Sequence, residues 1–171
     1  MISAEPRSSS WRSANSCSRS EKRSVVIDLD DPIALLLATV TELTKAGLEH
    51  AVYGGLALAM YGEPRETKDA DVAVAHVSLA AAQAALSRIG ATVVPAFDSV
   101  PFGGLRISQL SLGAGKLNTV DLVTPTSPGY AARVLRGRLE GQELRVVSPE
   151  DFVVLKILST ASTTCKTRGA S

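Results

Sequence analysis

The sequence predicts an α+β fold, a small mixed β-sheet flanked by helices, and three observations lead there. Apolar residues recur at helical spacing in some stretches and alternate with polar ones in others. Helix-like and strand-like stretches interleave without the regular βαβ spacing of a parallel sheet, and no internal repeat is present. With 171 residues, 45% of them apolar, the chain is long enough for one domain with its own core.

In chain order, "PRSSSWRSANSCSRSEKRS" is rich in Ser and Arg and nearly devoid of apolar residues, so it buries too little to offset its ordering entropy. Residues 1–24 are therefore expected to be a disordered leader. They read either as a basic arm that tracks a nucleic-acid backbone or as a leader without function, and Trp11 within them is given no binding role. One domain is expected over 25–161. It opens with "DDPIALLLATVTELTKAG", a helix with Asp caps, Pro32 in the first turn and Gly47 after the last. "EHAVYGG" reads as a short strand ending in glycines, "LALAMYG" as the helix they open, and "KDADVAVA" as a second strand. "SLAAAQAALSRIG" is an alanine-rich helix closed by Gly90, and "ATVVPA" a strand. "LRISQLSL" and "LNTVDLV" flank "GAGK" as a β-hairpin. A short helix at "PGYAARVL", a strand pair around Gly141 and a helix from "SPEDFVVLKILS" complete the domain. Residues 162–171 are expected to be a disordered tail, and the polar ending "STTCKTRGAS" reads like a truncation or a change of frame.

Charge and cysteines exclude several classes. Residues 1–24 carry five basic side chains against two acidic, which leaves 13 basic and 15 acidic for the rest, so no uniformly basic face for duplex binding is expected. No apolar run is long enough for a membrane span or a secretory signal, which predicts a cytoplasmic protein with no membrane partner. Cys17 and Cys165 stand far apart without second ligands, so neither a disulfide framework nor a zinc site is expected.

The chemistry is sought in "YGGLALAMYGEPRETKDADVAV". "GAGK" is set aside first, because a phosphate-binding loop would need Gly and Ser or Thr where Leu110 and Leu117 stand. Asp69 and Asp71 project to one strand face with Ala73 and Ala75, while Ala70, Val72 and Val74 line the other. Two close like charges at the start of a strand covered on both sides need a cation. Ion pairs with Arg65 and Lys68 would supply it, and so would a hard divalent ion held by oxygen ligands. Asp121, within another strand, adds a third carboxylate if that strand neighbours the first. Three carboxylates without His or Cys select Mg²⁺ or Mn²⁺. Gly54 and Gly55 at a strand-to-helix turn would let backbone N–H groups approach a phosphate. His50 and His76 lack partner ligands and are expected to be ordinary histidines; Tyr53 and Tyr61 fit packing around the glycine turn.

The order strand, Gly-Gly, helix, Asp-x-Asp strand, later Asp strand resembles the DNA polymerase β-like nucleotidyltransferase superfamily. In particular it is similar to the minimal nucleotidyltransferases related to the AbiEii toxins. The resemblance spans about residues 31–160 and is most specific from the glycine pair to Asp71. It implies catalytic, metal-holding roles for Asp69, Asp71 and Asp121, and nucleotide-binding roles for Gly54, Gly55, Arg65, Thr67 and Lys156. It implies Mg²⁺ (or Mn²⁺) as cofactor, an NTP as substrate, an RNA (tRNA) or protein hydroxyl as acceptor, and a cognate antitoxin as partner in a toxin–antitoxin or phage-defence system. The alternative, from another class, is a catalytically inactive, truncated binding or regulatory module of the same fold.

Overall fold

The structure, a computed structural model, describes residues 27–64, 66–113, 118–138 and 143–160. The expected leader and tail lie outside the described residues, as does most of "GAGK". Helix α1 (Pro32–Lys45) starts where Asp31 accepts the Ile33 N–H at 2.9 Å and Pro32 occupies the first turn. Strand β1 (His50–Val52) leads into helix α2 (Gly54–Met60), followed by strand β2 (Ala70–Val74). Helix α3 (Leu79–Leu86), capped by Ser78, runs through a 3₁₀ turn to Gly90, whose φ of 89° ends it as expected. Strands β3 (Val93–Phe102), β4 (Leu105–Leu112) and β5 (Asn118–Pro125) precede helices α4 (Pro128–Val134) and α5 (Pro149–Thr160).

The five strands form one sheet in the order β1-β2-β5-β4-β3. All neighbours are antiparallel except β2 and β5, which run parallel with Asp71 opposite Asp121. Alternation then sorts the side chains. Val52, Ala70, Val72, Val74, Leu110, Leu112, Val120 and Leu122 face the core built with α1, α2 and α3, where Leu35, Leu36, Leu43 and Leu86 are fully or almost fully buried. Ala51, Tyr53, Ala73, Val123 and Leu105 face the second core, closed by α4 and α5 through Ala131, Val134, Phe152 and Leu155. The sheet is covered on both sides, which explains why β2 reads as a nearly continuous apolar run.

One expectation is corrected. The strand predicted at "ATVVPA" extends to Phe102 and turns through Gly103 and Gly104 into β4, making a second hairpin. Asp98, Ser99 and Pro101 interrupt its alternation, and the register shifts between Pro95 and Phe97 and between Phe97 and Val100 absorb them, as bulged edge strands do. The strand pair expected around Gly141 centres on residues outside the described ones; at its base the Val146 N–H donates to the Gly137 carbonyl at 3.3 Å. Residues 145–147 lie along the free edge of β1, with a single parallel bridge between Val52 and Val146. Tyr61 ties this segment down, its hydroxyl donating to the Val147 carbonyl at 2.9 Å. Tyr61→Phe is expected to cost about 1 kcal/mol, measured by urea denaturation, because the carbonyl loses a partly buried donor; an unchanged midpoint would show that the tie is idle.

No helix among the described residues is long and apolar enough to cross a membrane.

Candidate functional site

The site lies on the α4/α5 face, at the end of the sheet where β2 and β5 begin. Parallel pairing sets Asp71 beside Asp121, and antiparallel pairing sets Asp121 beside Gln109, so three strands present Asp71, Asp121 and Gln109 in one row. Asp69 falls two positions earlier on the same face, just ahead of β2, next to Thr119 two positions before Asp121. The Thr119 hydroxyl donates to Asp69 Oδ1 at 2.6 Å, and Gln109 Nε2 donates to Asp121 Oδ1 at 2.8 Å. Sequence reasoning missed both partners. Thr119 carries a signal, since Thr-x-Asp in one strand mirrors Asp-x-Asp in the other; Gln109 depends on the register of β4 and carries none.

The glycine pair meets this row directly. Gly54 has φ 71°, reached easily only by glycine, and a Cβ there would overlap the Asp71 carboxylate. The Gly55 backbone N–H favours the charged form of that carboxylate, while a Cβ on Gly55 would stand 2.9 Å from Thr67 Cβ. Thr67 therefore backs the glycine turn, and its hydroxyl donates to the Asp69 carbonyl at 3.3 Å. The Tyr53 N–H donates to the Asp71 carbonyl at 3.0 Å, so the turn and the Asp71 backbone are fastened together. Tyr53 is buried and packs at a tilt against Phe152, with centroids 5.1 Å apart. Lys156 of α5 lies over both rings, 5.5 Å from Tyr53 and 5.6 Å from Phe152.

Electrostatics make Asp71 the least comfortable charge of the set. Burial, then Asp121 and Asp69, push its carboxyl up to about 7, against the pull of Lys156 and the Gly55 N–H. Asp121 is raised by burial and by Asp69, with the Gln109 hydrogen bond opposing. Burial and the Asp71 charge push the Tyr53 hydroxyl up to about 12, so it stays protonated. Lys68 is exposed and makes no ion pair with Asp69 or Asp71 among the described residues; Arg65 lies outside them.

The donor set is carboxylate oxygen alone, the chemistry of Mg²⁺ or Mn²⁺, and the uncompensated charge at Asp71 is what a divalent ion would relieve. As they stand, no three His, Cys, Asp or Glu side chains among the described residues converge on one ion. Like charges without a cation between them repel, and two of the three carboxylates are turned toward Thr119 and Gln109. The backbone brings the three positions together; the side-chain oxygens need an ion to close on. The histidines stand apart from the site. His50 is buried, its Nδ1 lies 2.8 Å from the Leu48 carbonyl, and burial lowers its pKa; His76 is exposed in a turn.

A family model described as nucleotidyl transferase AbiEii toxin, type IV TA system, matches residues 36–170. No curated protein gives a significant match to the chain.

Proposed function

Because this chain belongs to the AbiEii family of nucleotidyl transferase toxins, we propose that it transfers a nucleoside monophosphate from an NTP to a hydroxyl of an acceptor RNA (tRNA) or protein. It would do so in the cytoplasm, as the toxin of a type IV toxin–antitoxin pair restrained by a cognate antitoxin. The observation that carries this reading is the in-register pairing of Asp71 with Asp121 on parallel strands, with Asp69 one pleat away.

Asp69, Asp71 and Asp121 would hold Mg²⁺ or Mn²⁺, which supplies charge neutralisation of the triphosphate and polarisation of the reacting oxygens. The residues do the rest. Gly54 and Gly55 make room for the Asp71 carboxylate and for Thr67, and Arg65, Thr67 and Lys156 would bind the nucleotide. Lys156, which lies over two aromatic faces and within reach of the Asp71 charge, would offer its ammonium to the triphosphate. Asp121 has Oδ1 committed to Gln109, which leaves Oδ2 for the ion, and the acceptor proton would pass to this same carboxylate. The acceptor oxygen then bonds to the α-phosphorus, the bond to the β-phosphate oxygen breaks, and pyrophosphate leaves.

Thermal melts with each NTP at about 100-fold its Kd, with Mg²⁺ or Mn²⁺, are expected to raise the melting temperature by roughly 5–10 °C. That corresponds to about 2.7 kcal/mol of linkage. Transfer of labelled nucleoside monophosphate to total RNA or protein identifies the acceptor class. A chain that no NTP stabilises with either ion, and that labels nothing, is the inactive binding module instead.

A further inference from the structure

The two carboxylates flanking Asp71 are each fastened through one oxygen to a neutral donor within β5 or β4: Asp69 Oδ1 to the Thr119 hydroxyl at 2.6 Å, and Asp121 Oδ1 to Gln109 Nε2 at 2.8 Å. Both donors lie on the row already occupied by the aspartates, Gln109 as the register partner of Asp121 and Thr119 one pleat before it. Both are partly buried. A carboxylate tied by one oxygen loses its freedom to swing out of the row, yet keeps its other oxygen for a ligand. The donors are uncharged, so the fastening costs the cluster none of its negative charge. An ammonium or guanidinium at either place would hold the carboxylate equally well and neutralise the charge that attracts a divalent ion.

We propose that Gln109 and Thr119 are positioning residues for the divalent ion, neutral clamps that orient Asp121 and Asp69 while leaving their charge intact. The inference rests on the metal-dependent transfer proposed above, and neither residue touches the reacting atoms.

The test is Mn²⁺ affinity of the full chain, read by paramagnetic resonance of the free ion without nucleotide. Thr119→Val keeps the shape of threonine without its hydroxyl, and Gln109→Met keeps the length of glutamine without its amide. Each is expected to weaken Mn²⁺ binding about tenfold, in the range that loss of an outer hydrogen bond to a metal ligand produces. Thr119→Ser should restore binding to within about twofold of the parent, because the hydroxyl is what matters. Gln109→Lys should bind more weakly still, by about a hundredfold, since it keeps a donor and cancels a charge. Should Gln109→Met fail to fold, the Thr119 pair decides alone. A parent that binds Mn²⁺ with Val and Met variants that bind it equally or more tightly overturns the clamp and leaves the transfer reading standing; so does a Lys variant with parental affinity. A parent that binds no Mn²⁺ overturns both.

Discussion

Asp71→Asn is expected to abolish nucleotidyl transfer and, in the same molecule, to raise the melting temperature of the metal-free protein at pH 8. The two effects share one cause. Asp71 sits beside Asp121 with its carboxyl pushed up to about 7 from an ordinary 3.8, by burial first and by the neighbouring carboxylates second. A carboxyl that holds its proton more tightly when folded than when unfolded favours the fold below its unfolded pKa and loses that advantage as pH rises through the folded value. The parent should therefore lose stability between about pH 4 and about pH 7, while the asparagine variant loses less, keeping only the fall that the raised Asp121 contributes. Three pKa units set a ceiling of about 4 kcal/mol; with some solvent reaching the side chain, about 2–3 kcal/mol is expected, or roughly 5–10 °C at pH 8. At pH 4 the two proteins should melt together. Activity should fall at least about a hundredfold, because the charge that meets the ion is gone. If Asp71 were instead the partner of a structural cation, the variant would melt lower at pH 8 with or without Mg²⁺, and that result would reject the active-site reading.

Gly54→Ala should damage stability and function together. Its φ of 71° costs a residue with a Cβ about 1 kcal/mol or more, and the methyl would occupy the place of the Asp71 carboxylate. Gly47 separates the two contributions. Its φ is 70°, nearly the same, and a Cβ there meets nothing within 4 Å. Gly47→Ala is thus expected to cost about 1 kcal/mol by denaturant titration, and Gly54→Ala about 3 kcal/mol or more, with the excess reporting the displaced carboxylate. NTP-induced stabilisation should survive the first and disappear in the second. Equal costs at the two positions would mean that Asp71 swings aside freely and that its placement by the turn is unimportant.

Much of this site was legible because its determinants are local. Period-two alternation alone sets Asp69 and Asp71 on one face with Ala73, and the glycine pair marks a strand-to-helix turn whatever follows. Asp31, Ser78 and Gly90 delimit helices through hydrogen bonds within a few residues. What was not legible depends on partners distant in sequence. The pairing of β2 with β5 joins positions 50 residues apart, so Asp121 was a conditional third member until the strands were placed. Gln109 reaches the site only through the register of β4. The length of β3 was hidden by Asp98, Ser99 and Pro101, tolerated because it is an edge strand with bulges. The glycines illustrate a finer gap. The doublet pointed to phosphate approach, while the space left by the missing Cβ atoms is already claimed by Asp71 and Thr67.

The strand order β1-β2-β5-β4-β3 places the last strand to be made between the halves made before it. Until β5 has left the ribosome, β1 and β2 have no hydrogen-bonded route to β3 and β4, and the nascent chain holds two separate pieces of sheet. The same strand brings Asp121 and Thr119, so sheet closure and assembly of the carboxylate row are one event. Closing long-range parallel contacts is slow compared with forming hairpins and helices. A chain arrested or cleaved before about residue 125 would therefore carry the glycine turn and two aspartates without a completed carboxylate row, and on the proposed reading unfinished copies would be inactive.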